Sequence, residues 1–268
     1  MLGGAAMLDT RTLMMFASSL VLSGCMVGAP GGEGDESNED DSTAVEATRR
    51  VLLCEQGLSD RTTGWDKGLF ALCDAVAAKG FELVKDGSYS AFGALNENGA
   101  YSALFKKLDT NGDGRVDGKD TPTKIHLVGF SWGGINVTDI ADRLRKDSRI
   151  AQDRRTVTAM VLLDPYQPLS FHANIPSNVE YAWEYRQSNT TDGDCSSTVS
   201  LGLGFNGKTP EAKSWNTWCS VYDLDSFMNG VGHCDVPSRA KDAAITNLTK
   251  LEDYAPWDDH MQWCDVDD

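Results

Sequence analysis

The stretch Ile125-His126-Leu127-Val128-Gly129-Phe130-Ser131-Trp132-Gly133-Gly134 decides the fold. Its first half is a continuous apolar run, the pattern of a strand buried on both faces. Behind Gly134, apolar residues recur at Ile135, Val137, Ile140, Ala141 and Leu144, which is helical spacing. A strand therefore meets a helix across one tight turn, with Ser131 at its apex and glycines on either side to let the backbone fold sharply. Working outward, further strands are expected at residues 50–54, 81–85, 157–163 and 181–187, and helices at 64–79, 101–108, 134–146 and 238–251. Apolar strands interleaved with amphipathic helices predict an α/β fold: a mostly parallel sheet with helices on both faces, in a single domain. Residues 188–232, rich in Gly, Asn, Thr and Ser, give no secure assignment.

Gly129-Phe130-Ser131-Trp132-Gly133 is a G-x-S-x-G motif in the strand–turn–helix setting that a nucleophile elbow needs. On these residues the chain, over roughly residues 50–252, resembles the α/β-hydrolases of the serine esterase and lipase kind. The resemblance implies a base and an orienting acid, following Ser131 in the order acid, then His. Of the four histidines, His126 lies in the strand before the elbow and reads as structural, while His172 closely follows the strand at 157–163 and His260 falls in the acidic tail. His233, in Gly230-Val231-Gly232-His233 ahead of the last helix, is where the family places its base. For the acid, Asp164 ends the run Val161-Leu162-Leu163, and an elbow followed by Leu-Asp-Pro resembles the pancreatic-lipase group; Asp192 and Asp194 are the alternatives one strand later. An oxyanion hole needs two backbone N–H groups. Trp132 supplies one by resemblance, and Leu58, in Gln56-Gly57-Leu58 after the first strand, is the expected second. Many relatives have His-Gly where this chain has Gln56-Gly57.

Residues 109–120 read Asp-Thr-Asn-Gly-Asp-Gly-Arg-Val-Asp-Gly-Lys-Asp. Oxygen side chains stand at loop positions 1, 3, 5, 9 and 12, with glycine at 6, as in a twelve-residue EF-hand loop. Asp109, Asn111, Asp113, Asp117 and Asp120, with the Arg115 carbonyl, are the expected calcium ligands. Asp at position 12 resembles the dockerin version of the loop, and Pro122 blocks a long second helix. The loop enters the elbow strand at its amino end. Seven extended residues span roughly 23 Å at about 3.3 Å each, so the expected role of calcium is structural.

The amino-terminal region reads as an address. A short apolar run behind Arg11 is too short to cross a bilayer as a helix and fits a signal-peptide core. It ends Leu22-Ser23-Gly24-Cys25, which resembles a bacterial lipobox and implies lipidation of Cys25. The expected organisation is a signal peptide over 1–24, an acidic flexible tether over 25–48 and the hydrolase domain over 49–268. Residues 26–48 hold Glu33, Asp35, Glu36, Glu39, Asp40, Asp41 and Glu46 and no base. The formal charge of -16 (24 basic, 40 acidic residues) argues against nucleic acid as a partner. Setting Cys25 aside, the remaining cysteines (Cys54, Cys73, Cys195, Cys219, Cys234 and Cys264) are even in number, as in an exported, disulfide-bonded domain. A bridge from Cys54, at the end of a strand, to Cys73, on the next helix, is expected. Together these readings describe an exported, lipid-anchored serine hydrolase acting on an ester or lipid-like small molecule, with a structural calcium ion. Another acyl-transfer chemistry on the same fold, or a calcium-dependent cell-surface binding protein, are the competing readings.

Overall fold

The computed structural model describes residues 48–57, 67–85, 92–93, 95–166, 172–188, 209–213, 217–226, 228, 230–251 and 261–266. The signal-peptide, tether and Cys25 expectations lie outside these residues, as do Leu58, Asp192, Asp194, Cys195 and His260.

The central sheet has seven strands in the order β2-β1-β3-β4-β6-β8-β9. They are β1 (Arg49–Glu55), β2 (Glu82–Val84), β3 (Thr123–Phe130), β4 (Val157–Leu163), β6 (Val179–Arg186), β8 (Trp218–Asp223) and β9 (Met261–Trp263). Every pairing is parallel except β8 with β9. The last five residues of β1, the last six of β3 and all of β4 are buried, as continuous apolar strands covered on both sides must be.

Alternation along these strands divides the core into two layers. On one face Val51, Leu53, Ile125, Leu127, Met160 and Leu162 pack with α2 (Glu97–Leu108) and α3 (Trp132–Lys146). On the other, Leu52, Cys54, Val128, Phe130, Val161 and Trp183 pack with α1 (Lys67–Ala77), α4 (Val236–Arg239) and α5 (Lys241–Lys250). A second sheet, β10-β7-β5, joins β5 (His172–Ile175), β7 (Thr209–Ala212) and β10 (Asp265–Val266). Its Ala173, Ile175 and Ala212 extend the first layer.

The expected α/β fold is therefore present, with its parallel sheet and two helical faces. The helix expected over 238–251 is two helices, parted at Ala240. The expected Cys54–Cys73 bridge is formed, tying β1 to α1, and a second bridge joins Cys219 on β8 to Cys264. Cys234 is also disulfide-bonded. Among the described residues no helix is long and apolar enough to cross a membrane.

Candidate active site

Ser131 sits between the end of β3 and the start of α3 with φ 56° and ψ -125°, a conformation that costs a non-glycine residue of order 1–3 kcal/mol. Local bonds hold it there. Its N–H donates to the Leu163 carbonyl at 3.0 Å, and its carbonyl accepts from Gly134 at 2.9 Å and Tyr166 at 3.0 Å. The turn also requires close backbone approach. A Cβ on Gly133 would stand 2.3 Å from the Glu55 carbonyl oxygen, so glycine there lets the first turn of α3 rest on the end of β1.

Asp164 follows β4, itself at positive φ (44°), and is completely buried. Its Oδ2 lies 2.6 Å from Nδ1 of His233, which stands at the start of the short turn before α4 and is 5% exposed. The imidazole is walled by Phe130, with ring centroids 4.9 Å apart, and by the edge of Tyr166 at 6.4 Å. Phe130 precedes Ser131, and Tyr166 donates to the Ser131 carbonyl, so the ring lies among the serine's immediate neighbours. The structure thus joins Asp164 to His233 and sets both beside the elbow. His126 is apart from this group: it is buried on β3 against Phe81, and burial pushes its imidazole down to about 4. His172 lies on β5, in the second sheet.

The expected oxyanion loop also reaches the serine. A Cβ on Gly57 would be 2.8 Å from Ser131 Cβ and 3.2 Å from its Oγ, so the chain passes Ser131 at a distance only glycine permits. The Gln56 N–H is occupied by the Phe92 carbonyl at 2.7 Å, which removes it as an oxyanion donor. As the first residue of α3, Trp132 has an N–H without an intrahelical acceptor.

No family model matches the chain, and no curated protein matches its sequence. Two of the solved structures similar to it are hydrolases. One is a YdeN-like hydrolase from Pectobacterium atrosepticum, at 10% identity and TM-score 0.38, covering 75% of this chain and 90% of its own. The other is a CIB-like hydrolase from Thermoplasma acidophilum, at 15% identity and TM-score 0.37, covering 78% and 89%. Both are hydrolases by prediction in their own descriptions, and a likeness at these values lends no chemistry to this chain.

Four polar residues escaped the sequence reading. One row across the sheet runs Glu55, Gly129, Leu162, Glu184. Glu55 is fully buried, and its Oε2 accepts from Asn136 on α3 at 3.2 Å. Burial first, with the nearby Glu97 adding to it, pushes its carboxyl up to about 8. Glu184 is also fully buried, and burial pushes it well above the usual carboxylate range, with Asp164 adding in the same direction. Gln187, just beyond β6, donates to the Asp164 carboxylate from its backbone N–H at 3.1 Å and its Nε2 at 3.2 Å. The sequence signal for Gln187 was weak: a polar residue closing an expected strand.

The loop 109–120 joins α2 to β3, at the end of β3 opposite Ser131. Its donors are all oxygens, which suits a hard cation by type. Gly114 turns the chain at φ 82°. Asp109 accepts from the N–H groups of Gly112, Asp113 and Gly114, and Asp120 from those of Thr110, Asn111 and Asp117. Among the described residues no three His, Cys, Asp or Glu side chains gather closely enough to hold a metal ion.

Proposed function

We propose that the chain is an exported, lipid-anchored serine hydrolase that cleaves carboxylic esters. The observation that supports this most is the 2.6 Å contact between Asp164 and His233 beside a serine held at positive φ between strand and helix. With Nδ1 engaged by Asp164, Nε2 is the nitrogen that takes the Ser131 proton. Ser131 Oγ attacks the ester carbonyl carbon, and the proton moves to His233. The resulting oxyanion is met by the N–H of Trp132 and by a second donor at Gly57 or Leu58. As the tetrahedral adduct collapses, the ester C–O bond breaks and His233 returns its proton to the departing alcohol oxygen. Water then repeats the sequence on the acyl-serine, releasing the acid and restoring Ser131. Each oxyanion donor contributes about 3–4 kcal/mol to lowering the barrier.

In the same reading, Asp109, Asn111, Asp113, Asp117, Asp120 and the Arg115 carbonyl would have to draw together around a calcium ion, whose role would be to fix the loop. Cys25 would carry the lipid that holds the domain at the bacterial envelope. No step of the acyl transfer runs through either.

The test is the variant S131A with a short chromogenic ester. Loss of hydrolysis and of fluorophosphonate labelling, with the circular dichroism spectrum unchanged, is the expected result. Full activity in S131A would sink the assignment.

A further inference from the structure

Asp164 is a buried carboxylate whose orientation depends on β6. Its own N–H donates to the Tyr185 carbonyl at 2.7 Å. Two residues further along, Gln187 returns two donors to the carboxylate, the backbone N–H to Oδ1 and Nε2 to Oδ2. His233 Nδ1 approaches the same Oδ2. Asp164 is 0% exposed and Gln187 1%, so bulk solvent does not share this work. A buried carboxylate left short of donors is costly, and it rotates toward whatever donor remains. We infer that Gln187 is a positioning residue for the acid of the site: its side-chain amide fixes the rotation of the Asp164 carboxylate and so the alignment of the His233 imidazole. This rests on the serine hydrolase reading given above.

The residue type follows from the contact. A donor is required at this point, because the carboxylate only accepts. A carboxylate at 187 would face Asp164 with like charge, and an apolar side chain would leave Oδ2 with His233 alone. The backbone N–H survives every substitution except proline, so changing the side chain removes one bond and leaves the backbone bond to Asp164 in place. Glu184, three residues earlier, is also buried near Asp164 but has no hydrogen-bond partner for either carboxylate oxygen, so it does not share the positioning.

Two variants test this in the full chain. Q187M keeps the length of the side chain and loses the donor. It is expected to lower kcat about tenfold with KM within twofold. The acid limb of its kcat/KM profile moves to higher pH, because a carboxylate relieved of one donor holds the imidazolium proton more firmly. Q187E donates as a protonated acid and repels once ionised, so its kcat falls with rising pH, opposite to the parent's acid limb. A readout independent of turnover is the downfield proton resonance of the His233 Nδ1–H, which is expected to shift in Q187M. Parent-like kcat, pH profile and resonance in Q187M would overturn the inference. A parent that neither hydrolyses esters nor reacts with a fluorophosphonate would instead overturn the serine hydrolase reading, while the resonance would still report on Gln187.

Discussion

Glu55 shows how much a single buried group can set. Its carbonyl leaves Gly133 no room for a Cβ, and its carboxylate oxygen takes the Asn136 amide, so one residue pins the end of β1 to the first turns of α3. Burial raises its carboxyl to about 8, well above the 4.5 of an exposed glutamate. The folded state then binds a proton the unfolded state has lost. The stability this gives is fully present below about pH 4.5 and is lost as pH rises toward 8, at about 1.4 kcal/mol per pH unit. E55Q keeps an oxygen for Asn136 and removes the titration. Urea unfolding at several pH values should show a shallower decline for E55Q between pH 5 and 8; parallel curves would refute this account. Neither Glu55 nor Glu184 was legible in the sequence. A glutamate in or at the end of a strand reads as solvent-facing, and only the neighbours brought by β3 and α3 for Glu55, and by β4 and β8 for Glu184, bury it. The juxtaposition of Ser131, Asp164 and His233 could be anticipated because each stands at a marked boundary: a Gly-flanked turn, the end of an apolar run, a Gly-rich approach to a helix; their roles belong to the proposal.

At the scale of elements, β1, β3, β4 and α3 could be read because local pattern and burial agree over seven residues or more. The second sheet could not. Its strands are four, four and two residues long and come from distant parts of the chain, so no periodicity announces them. The loop 109–120 was legible by spacing, but its attachment was not. Val116, at loop position 8, donates to the Arg149 carbonyl at 2.9 Å and accepts from the Ala151 N–H at 2.8 Å, which joins the loop to the chain leaving α3. At the near end of α3, Tyr101 on α2 donates to Asp147 at 2.6 Å and Arg149 stacks on Phe105. Calcium at this loop would therefore brace α2 against the exit of α3 and leave the elbow alone. With an extracellular-type affinity, 10 mM calcium corresponds to about 10–100 times Kd, or about 1.4–2.7 kcal/mol. That predicts a rise in Tm of about 3–10 °C over a chelator-treated sample, abolished in D109A, with kcat changed less than twofold. An unaltered Tm would remove calcium from the account.

At the scale of the whole molecule, the described disulfides tie the sheet at two places. Cys54–Cys73 fastens β1, whose end lies against Gly133 in the first turn of α3, to α1 across 19 residues of sequence. Cys219–Cys264 fastens β8 to the chain between β9 and β10, the antiparallel edge, across 45. In the chain-entropy view, loops of these lengths contribute about 3 and 4 kcal/mol by restricting the unfolded state. A large α/β core does not need such links to fold, so the bridges add to a stability that burial already supplies. The double variant C54A/C73A removes the shorter loop constraint while leaving the core otherwise apolar. Its Tm is expected to fall by about 6–12 °C. The chain that passes Ser131 at Gly57 leaves β1 just beyond Cys54, so the loss should also reach the candidate site, appearing as a lower kcat near the transition. Dithiothreitol should lower the parent's Tm by at least as much, since it opens the Cys219–Cys264 bridge too. A parent whose Tm ignores reductant would mean that these bridges do not carry the stability assigned to them here.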